Sequence, residues 1–509
     1  MHRFTQRGLG AVIGSVAAVA LLAGCAGGAA AGGDVDTSTI TVAQPADLTT
    51  IDPVIDNGLF STNVFHALYD QLTVVEGDGS LSPRLATEWI GSEDAKSWTF
   101  TLRDDATFHN GEPITAEDVM FSFQAVKDNP KSLNRIYTNN IASMESAAEN
   151  EVTFTLTNPD ATFPRFVYYI SIVPEAVYTE LGADGFAAAP VGSGPYQYVS
   201  WTPGVSVVLK SNPDYWGGEP AIENVIVEPV ADAEARLNGL LSGDIDLTAL
   251  APAQLSAAQS AAGYRVEERA SNQLVYLGAN ESNEFLADED FREAISLAVD
   301  RETIISTVYD DLAVPANASS VAPDVAGHDA DGAETSYDPE AAAELVEASG
   351  YDGTPIPFEY ATDGSVPMSN ELAQAVAGQL EAVGIITELS GTDTASFNIS
   401  WTSKQLKGLY LQQFSPSMMD AATTMNYLYG PTGQALFSDP DVDALIAQAA
   451  STVDEAARMD VIGELWELNS QRHHLVNLQY STAIYGVNDA IDWEPRADGH
   501  VDFRTAFFK

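Results

Sequence analysis

Among 509 residues there is one cysteine, Cys25, and there are seven histidines, two of them adjacent at His473-His474. A lone thiol forms no internal disulfide, and nothing around Cys25 resembles a metal site. Gly192-Ser193-Gly194 flanks a serine with glycines but is not a nucleophile elbow. Neither H-E-x-x-H nor a phosphate-binding loop occurs. His109 stands in Phe108-His109-Asn110-Gly111, where Gly111 permits positive φ and Asn110 tolerates it, so a structural turn histidine is preferred over a ligand. His473-His474 suggests a metal, but neighbours on a strand point to opposite faces and cannot share an ion. These residues assemble no catalytic apparatus, and the expectation is no enzyme, no metal and no cofactor, with a secreted hydrolase as the weaker alternative to a binding function.

The neighbours of Cys25 explain it better. Residues 1–7 form a short positive segment with Arg3 and Arg7, and Leu9 to Leu22 is apolar or small with no charge. That is the build of a secretory signal, too short for a comfortable membrane span. Leu22-Ala23-Gly24-Cys25 resembles the bacterial lipobox, in which the cysteine is acylated and the chain is cut before it. Residues 1–24 are then the leader, Cys25 the lipid anchor, and 25–37 a flexible tether. Each buried methylene contributes about 0.8 kcal/mol, so two or more acyl chains hold a protein stably to a bilayer. The alternative is an ordinary signal peptide with an incidental cysteine.

The remaining 485 residues suffice for several domains and a large core. The net charge is −51, becoming −53 once Arg3 and Arg7 are removed. A surface of that sign repels phosphate and anionic lipid, which argues against a nucleic-acid partner. The acidic residues are scattered, as on a solvated face, and steering of cationic ligands is the less favoured reading.

Positioning elements are legible along the chain. A short strand is expected around Ile40 and Val42. Ser97–Leu102 alternates, with Trp98, Phe100 and Leu102 on one face, and Val152, Phe154 and Leu156 repeat the device. Between them, Thr115 and Asp118 form a capping box ahead of Val119, Phe123 and Val126 at helical spacing, and Pro130 ends the helix. Asp338 reads as an N-cap before Pro339, with Gly350 at the far end, and Phe291, Ile295 and Ala298 share one helical stripe. Strands and helices alternate throughout, which predicts an α/β chain with mixed sheets.

Four stretches together resemble the family-5 solute-binding proteins of ABC importers, the oligopeptide-, dipeptide- and nickel-binding group. They are residues 48–72 ("LTTIDPVIDNGLFSTNVFHALYDQL"), 99–123 ("TFTLRDDATFHNGEPITAEDVMFSF"), 190–218 ("PVGSGPYQYVSWTPGVSVVLKSNPDYWGG"), and "DFREAISLAVDRETI" with "YDPEAAAELVEASGY". The resemblance runs from about residue 38 to the C-terminus in the family's order. It implies the two-lobed periplasmic-binding-protein-like fold of the large, three-domain class II form, with a ligand cleft between lobes. On that pattern domain I is 38–78, 186–275 and 482–509, domain II is 79–185 and domain III is 276–481. It further implies a monomer outside the cytoplasmic membrane that passes a peptide or peptide-like solute to an ABC permease. Opines, oligosaccharides and chelated metals are alternative ligands.

The resemblance also implies site residues. Asn57, Gly58 and Leu59 correspond to a loop that hydrogen-bonds a peptide backbone, the alternative being a plain loop. In "FNISWTSKQLKGLYLQQFSPSMMDAATT", residues 397–424, Trp401 and Phe414 correspond to two aromatic walls. The position of a ligand-anchoring aspartate falls on Ser417, with Asp420 the nearest carboxylate. Either Asp420 takes that role or the ligand lacks a free amine, because a serine pairs weakly with an ammonium. Lys404, with Lys407 nearby, is expected either to meet a ligand carboxylate or to be solvated, and Tyr137 to line the cleft. Tyr215 and Trp216 are expected to pack beneath their turn.

Overall fold

Apolar and polar side chains alternate along Ser97–Leu102 and Glu151–Leu156, and each strand buries every second residue. The computed structural model describes residues 38–509 except 333–335, 365 and 417. The leader, the Cys25 anchor, the tether and Ser417 therefore lie outside the described residues. The two strands pair antiparallel, Trp98 opposite Phe154 and Phe100 opposite Val152, and Ala86–Gly91 and Ile141–Ala148 complete a four-stranded sheet. Helix Ala116–Asp128 packs on this sheet through Val119, Phe123 and Val126. Its capping box forms as expected: Thr115 Oγ1 accepts from Asp118 N at 3.3 Å, and Asp118 Oδ2 accepts from Thr115 N at 3.0 Å. Phe154 meets the Phe100 ring edge-on at 5.6 Å and Phe123 at 4.8 Å, giving this region a core of its own.

The larger sheet has eleven strands. Its centre is a pair of long antiparallel strands, Tyr264–Ala279 and Leu475–Asn488. Leu409–Phe414, Ile356–Ala361 and Thr387–Thr392 extend it on one side. On the other side run Leu247–Ala249, Thr39–Gln44, Asn224–Pro229, Ser206–Ser211 and Tyr196–Thr202, and Ala313–Pro315 pairs separately with Leu475–Asn488. Thr39–Gln44 is parallel to both its neighbours while the long pair is antiparallel, so the sheet is mixed. The long pair loses register between Ala270 and Leu274, opposite Thr482 and Tyr480. Such an irregularity bends the ladder and increases its twist.

The strands bury separate cores on the two sides of that break. Ile40, Val42, Leu209, Val225 and Val227 belong to one. Val275, Leu277, Phe358, Leu409 and Leu411 belong to another, roofed by helices Glu289–Ala298, Pro339–Ala348 and Ser369–Ala382. Phe291, Ile295 and Ala298 point into it, the stripe read from sequence. Asp338 caps its helix by accepting from Ala341 N at 3.0 Å, and Gly350 supplies the left-handed residue after it. A further core draws on widely separated stretches, including Val74, Val75, Tyr168, Trp401, Trp466 and Ala497.

Candidate functional site

In the Asn57-Gly58-Leu59 loop Gly58 and Leu59 are exposed and Asn57 is half-buried, and the loop is held from behind by a buried carboxylate. Asp56 accepts from Gly58 N at 3.0 Å and from the hydroxyls of Ser61 and Thr49 at 2.6 Å each. Burial raises its pKa, but the Ser61, Thr49 and backbone donors outweigh that and leave it below the ordinary value. The loop opens helix Leu59–Leu68. Asn57 Nδ2 donates to Leu133 O at 3.3 Å, and Leu133 N donates to Ile55 O at 2.8 Å. The 3₁₀ turn Leu133–Tyr137 therefore stands beside the loop, with Leu133 56% and Ile136 62% exposed. Tyr137 is buried and stacks on Tyr169 at 4.4 Å; Tyr169 meets Tyr168 at 5.2 Å, and Tyr168 shares a 3.0 Å hydrogen bond with His66. Asn57, Leu59 and Tyr137 thus belong to one neighbourhood, of which sequence reasoning missed Leu133, Ile136, Tyr168 and Tyr169.

Trp401 lies in the last turn of helix Thr394–Thr402 and Phe414 ends strand Leu409–Phe414. They are brought together by Tyr427, which meets Trp401 edge-on at 5.8 Å and stacks on Phe414 at 5.1 Å. Tyr427 was not legible in the sequence, because the wide turn Met425–Tyr429 does not have α-helical spacing. Tyr169, Phe414 and Tyr427 all pack, half-buried, on the margin of the same core. Lys404 is exposed in a left-handed conformation just after the helix, and Lys407 is exposed while its backbone N donates to Glu359 at 2.6 Å.

Asp420 has a different place from the one the resemblance suggested. It is fully buried, and Arg458 forks onto it with two bonds of 2.8 Å while Arg165 Nε lies 3.0 Å from Oδ2. Its Oδ1 also accepts from Ala422 N at 2.9 Å, capping a short helix. Burial pushes the carboxyl up, yet the two guanidiniums hold it below its ordinary pKa. All of its acceptor capacity is committed within the protein, so it offers nothing to an incoming ammonium.

The other polar motifs are structural. His109 N donates to Gly192 O at 2.7 Å and its Nε2 lies 3.0 Å from Gly194 O. Ser193 is fully buried, and its Oγ accepts from Asp70 N at 3.1 Å. Tyr215 Oη and Trp216 Nε1 donate to Asp70 at 3.1 and 2.9 Å, beneath their turn as expected. His473 and His474 are not on a strand: His473 is the left-handed cap of helix Glu455–Arg472 and His474 precedes the next strand. His474 is buried between Glu281 at 2.6 Å and Asp439 at 2.9 Å, stacked on Phe437 at 4.0 Å. Among the described residues no group of three or more His, Cys, Asp or Glu is arranged to hold a metal.

The model of the bacterial extracellular solute-binding proteins, family 5, matches residues 80–435, well over half the chain. The chain belongs to that family, whose members are the solute-binding proteins of ABC importers. It is 28% identical over 443 residues to the probable D,D-dipeptide-binding periplasmic protein DdpA of Escherichia coli, covering 82% of this chain and 84% of that one. It is 26% identical over 455 residues to the E. coli nickel-binding periplasmic protein, covering 82% and 86%. Among solved structures, HbpA2 from Haemophilus parasuis shares the fold at TM-score 0.85 and 22% identity, over 92% of this chain and all of that one. The periplasmic murein tripeptide-binding protein MppA in its unliganded open form does so at TM-score 0.84 and 19% identity, over 93% and 98%. The periplasmic-binding-protein-like α/β fold implied by the sequence is therefore the observed one.

Proposed function

We propose that this chain is a lipid-anchored receptor on the outer face of a bacterial cytoplasmic membrane that captures a peptide or peptide-like solute and delivers it to an ABC permease. The observation that carries the reading is the Asn57–Leu59 loop, exposed at Gly58 and Leu59, pinned by Asp56 and flanked by exposed aliphatic and half-buried aromatic side chains. Exposed backbone on a rigid base suits the added-strand mode of peptide recognition, and nearby apolar surface accommodates side chains. Trp401, Phe414 and Tyr427 form the facing wall in this reading, with Lys404 at its edge. The register break in the long strand pair marks the hinge, close to the domain I/III boundaries at 275/276 and 481/482, and the four-stranded sheet is the body of domain II at 79–185. Ligand contacts to both lobes favour closure over the open state. The protein is read as a monomer without enzymatic activity, acylated at Cys25.

Native mass spectrometry of the protein taken directly from cells tests capture. A ladder of peptide masses is the expected result; a single non-peptide mass or evidence of turnover overturns it. Mass analysis of the N-terminal tryptic peptide tests the anchor: acylated Cys25 is expected, and an unmodified thiol overturns that part.

A further inference from the structure

We infer that a cavity between helix Glu289–Ala298, the end of helix Glu455–Arg472 and strand Leu475–Asn488 binds a small monovalent anion, a halide or a short carboxylate, against the guanidinium of Arg301. Arg301 opens helix Arg301–Val308 and is 5% exposed. Its Nε donates to Asn477 O at 2.7 Å, and its Nη1 donates to Val299 O at 3.2 Å and Ser296 O at 3.5 Å. These carbonyls bring only partial charge, including that of the C-terminal end of helix Glu289–Ala298. Nη2 is buried and has no hydrogen-bond partner. Arg84, Arg165, Arg292, Arg458 and Arg496 are also buried, but each lies 3.4 Å or less from a carboxylate. Burial alone pulls the pKa of Arg301 down, to about 10, so no described carboxylate offsets its charge and the group stays ionised at neutral pH.

The cavity beside it measures about 190 Å³ and is lined by Arg301, Glu293, Ser296, Asn469, Ser470 and His473. Asn469 is spent on both backbone groups of Leu475, and Ser470 Oγ donates to Glu467 O at 2.7 Å. The guanidinium, the Ser296 hydroxyl and the His473 ring are then the groups able to donate to a guest. The local potential is positive. Burial, with the charges of Arg292 and Arg301 and the neighbouring His474, pushes His473 down to about 4. A water molecule would complete the hydrogen bonding of Nη2 but leave a buried charge uncompensated, whereas an anion answers both needs. Glu293, half-buried on the lining, opposes a second negative charge, which favours a monoanion over a dianion such as sulfate. The inference is independent of which solute the protein captures.

The test compares thermal unfolding of the intact protein in sodium formate and in sodium lactobionate at equal ionic strength and pH 7. Lactobionate carries its carboxylate on a disaccharide too large for the cavity, and matched salt cancels screening of the net charge of −51. A saturable rise of about 2 °C in formate is expected. Ser470→Trp fills the cavity while leaving every Arg301 hydrogen bond in place, and it should abolish the difference between the salts. A crystal of wild-type protein grown in sodium bromide needs no variant and should show an anomalous peak against Arg301. Equal unfolding midpoints in the two salts, a difference that persists in Ser470→Trp, or a cavity holding water only in the bromide crystal would each overturn the inference.

Discussion

Asp70 and Asp420 are both buried carboxylates held by arginine, yet they do different work. Asp70 receives Arg84 Nε at 2.5 Å together with two neutral donors, Tyr215 Oη and Trp216 Nε1, and Trp216 in turn lies under the Arg103 guanidinium at 3.3 Å. Asp420 receives two guanidiniums, one from helix Phe163–Phe166, just after the four-stranded sheet, and one from helix Glu455–Arg472. Arg165 also donates to Gly79 O at 2.7 Å, and Ala161 N donates to Ala450 O at 2.8 Å. The first knot fixes turns around one neighbourhood. The second ties a region with its own sheet and core to helices packed on a different core. A buried ion pair adds little net stability over an apolar substitute but is costly to break, so its value lies in which parts it holds in register.

The largest effect that would sharpen this contrast is Asp420→Ala, which leaves two buried guanidiniums without a counter-charge. A loss of about 3–5 kcal/mol is expected in denaturant unfolding. A loss below 1 kcal/mol would show that the knot is not closed in solution. Asp70→Asn removes the charge that Arg84 needs and leaves one acceptor oxygen where Tyr215 and Trp216 donate to two, and about 1.5–3 kcal/mol should be lost. If its cost exceeded that of Asp420→Ala, the ranking of the two knots would be reversed.

Acidity separates the knots further, because Asp420 has a neighbouring carboxyl, Asp160, whose pKa is raised. Burial pushes Asp160 up to about 6, against its hydrogen bonds from Thr162 and with the Asp420 charge adding to the rise. With an ordinary value of 3.8, the folded chain holds this proton more tightly than the unfolded chain between those values. The stabilisation from that proton is complete below about 4 and is lost as pH rises through about 6. Asp160→Asn should therefore stabilise the protein at pH 7.5 relative to wild type and make little difference at pH 3.5, by paired thermal unfolding. An equal effect at both pH values would refute the shifted titration. The smallest effect is expected away from both knots: Thr115→Ala removes one helix cap and should cost about 1 kcal/mol with no change in pH dependence.

Local features were read correctly because their causes are local. The Thr115–Asp118 box, the alternation of Trp98, Phe100 and Leu102, and the Asp338-Pro339 start each depend on residues a few positions apart, and all appear as expected. The pair His473-His474 was assigned to a strand for want of any signal that the preceding helix runs to Arg472. Asp420 was misplaced for a different reason. Nothing in the spacing of Arg165 and Arg458 along the chain shows that both converge on it, and a carboxylate four residues from a turn reads the same whether free or doubly paired. Tyr427 was invisible because its wide turn obeys neither the 3.6 nor the 2.0 period.

The sequence by itself determined the family, the alternation of strands and helices, and the caps and turns. Those properties follow from residue type and short-range periodicity, which survive without knowledge of distant contacts. Tertiary structure alone decided which charges are spent. Whether a carboxylate is available to a ligand depends on guanidiniums from distant parts of the chain, and only the packed chain brings those of Arg165 and Arg458 to 3.0 and 2.8 Å from Asp420.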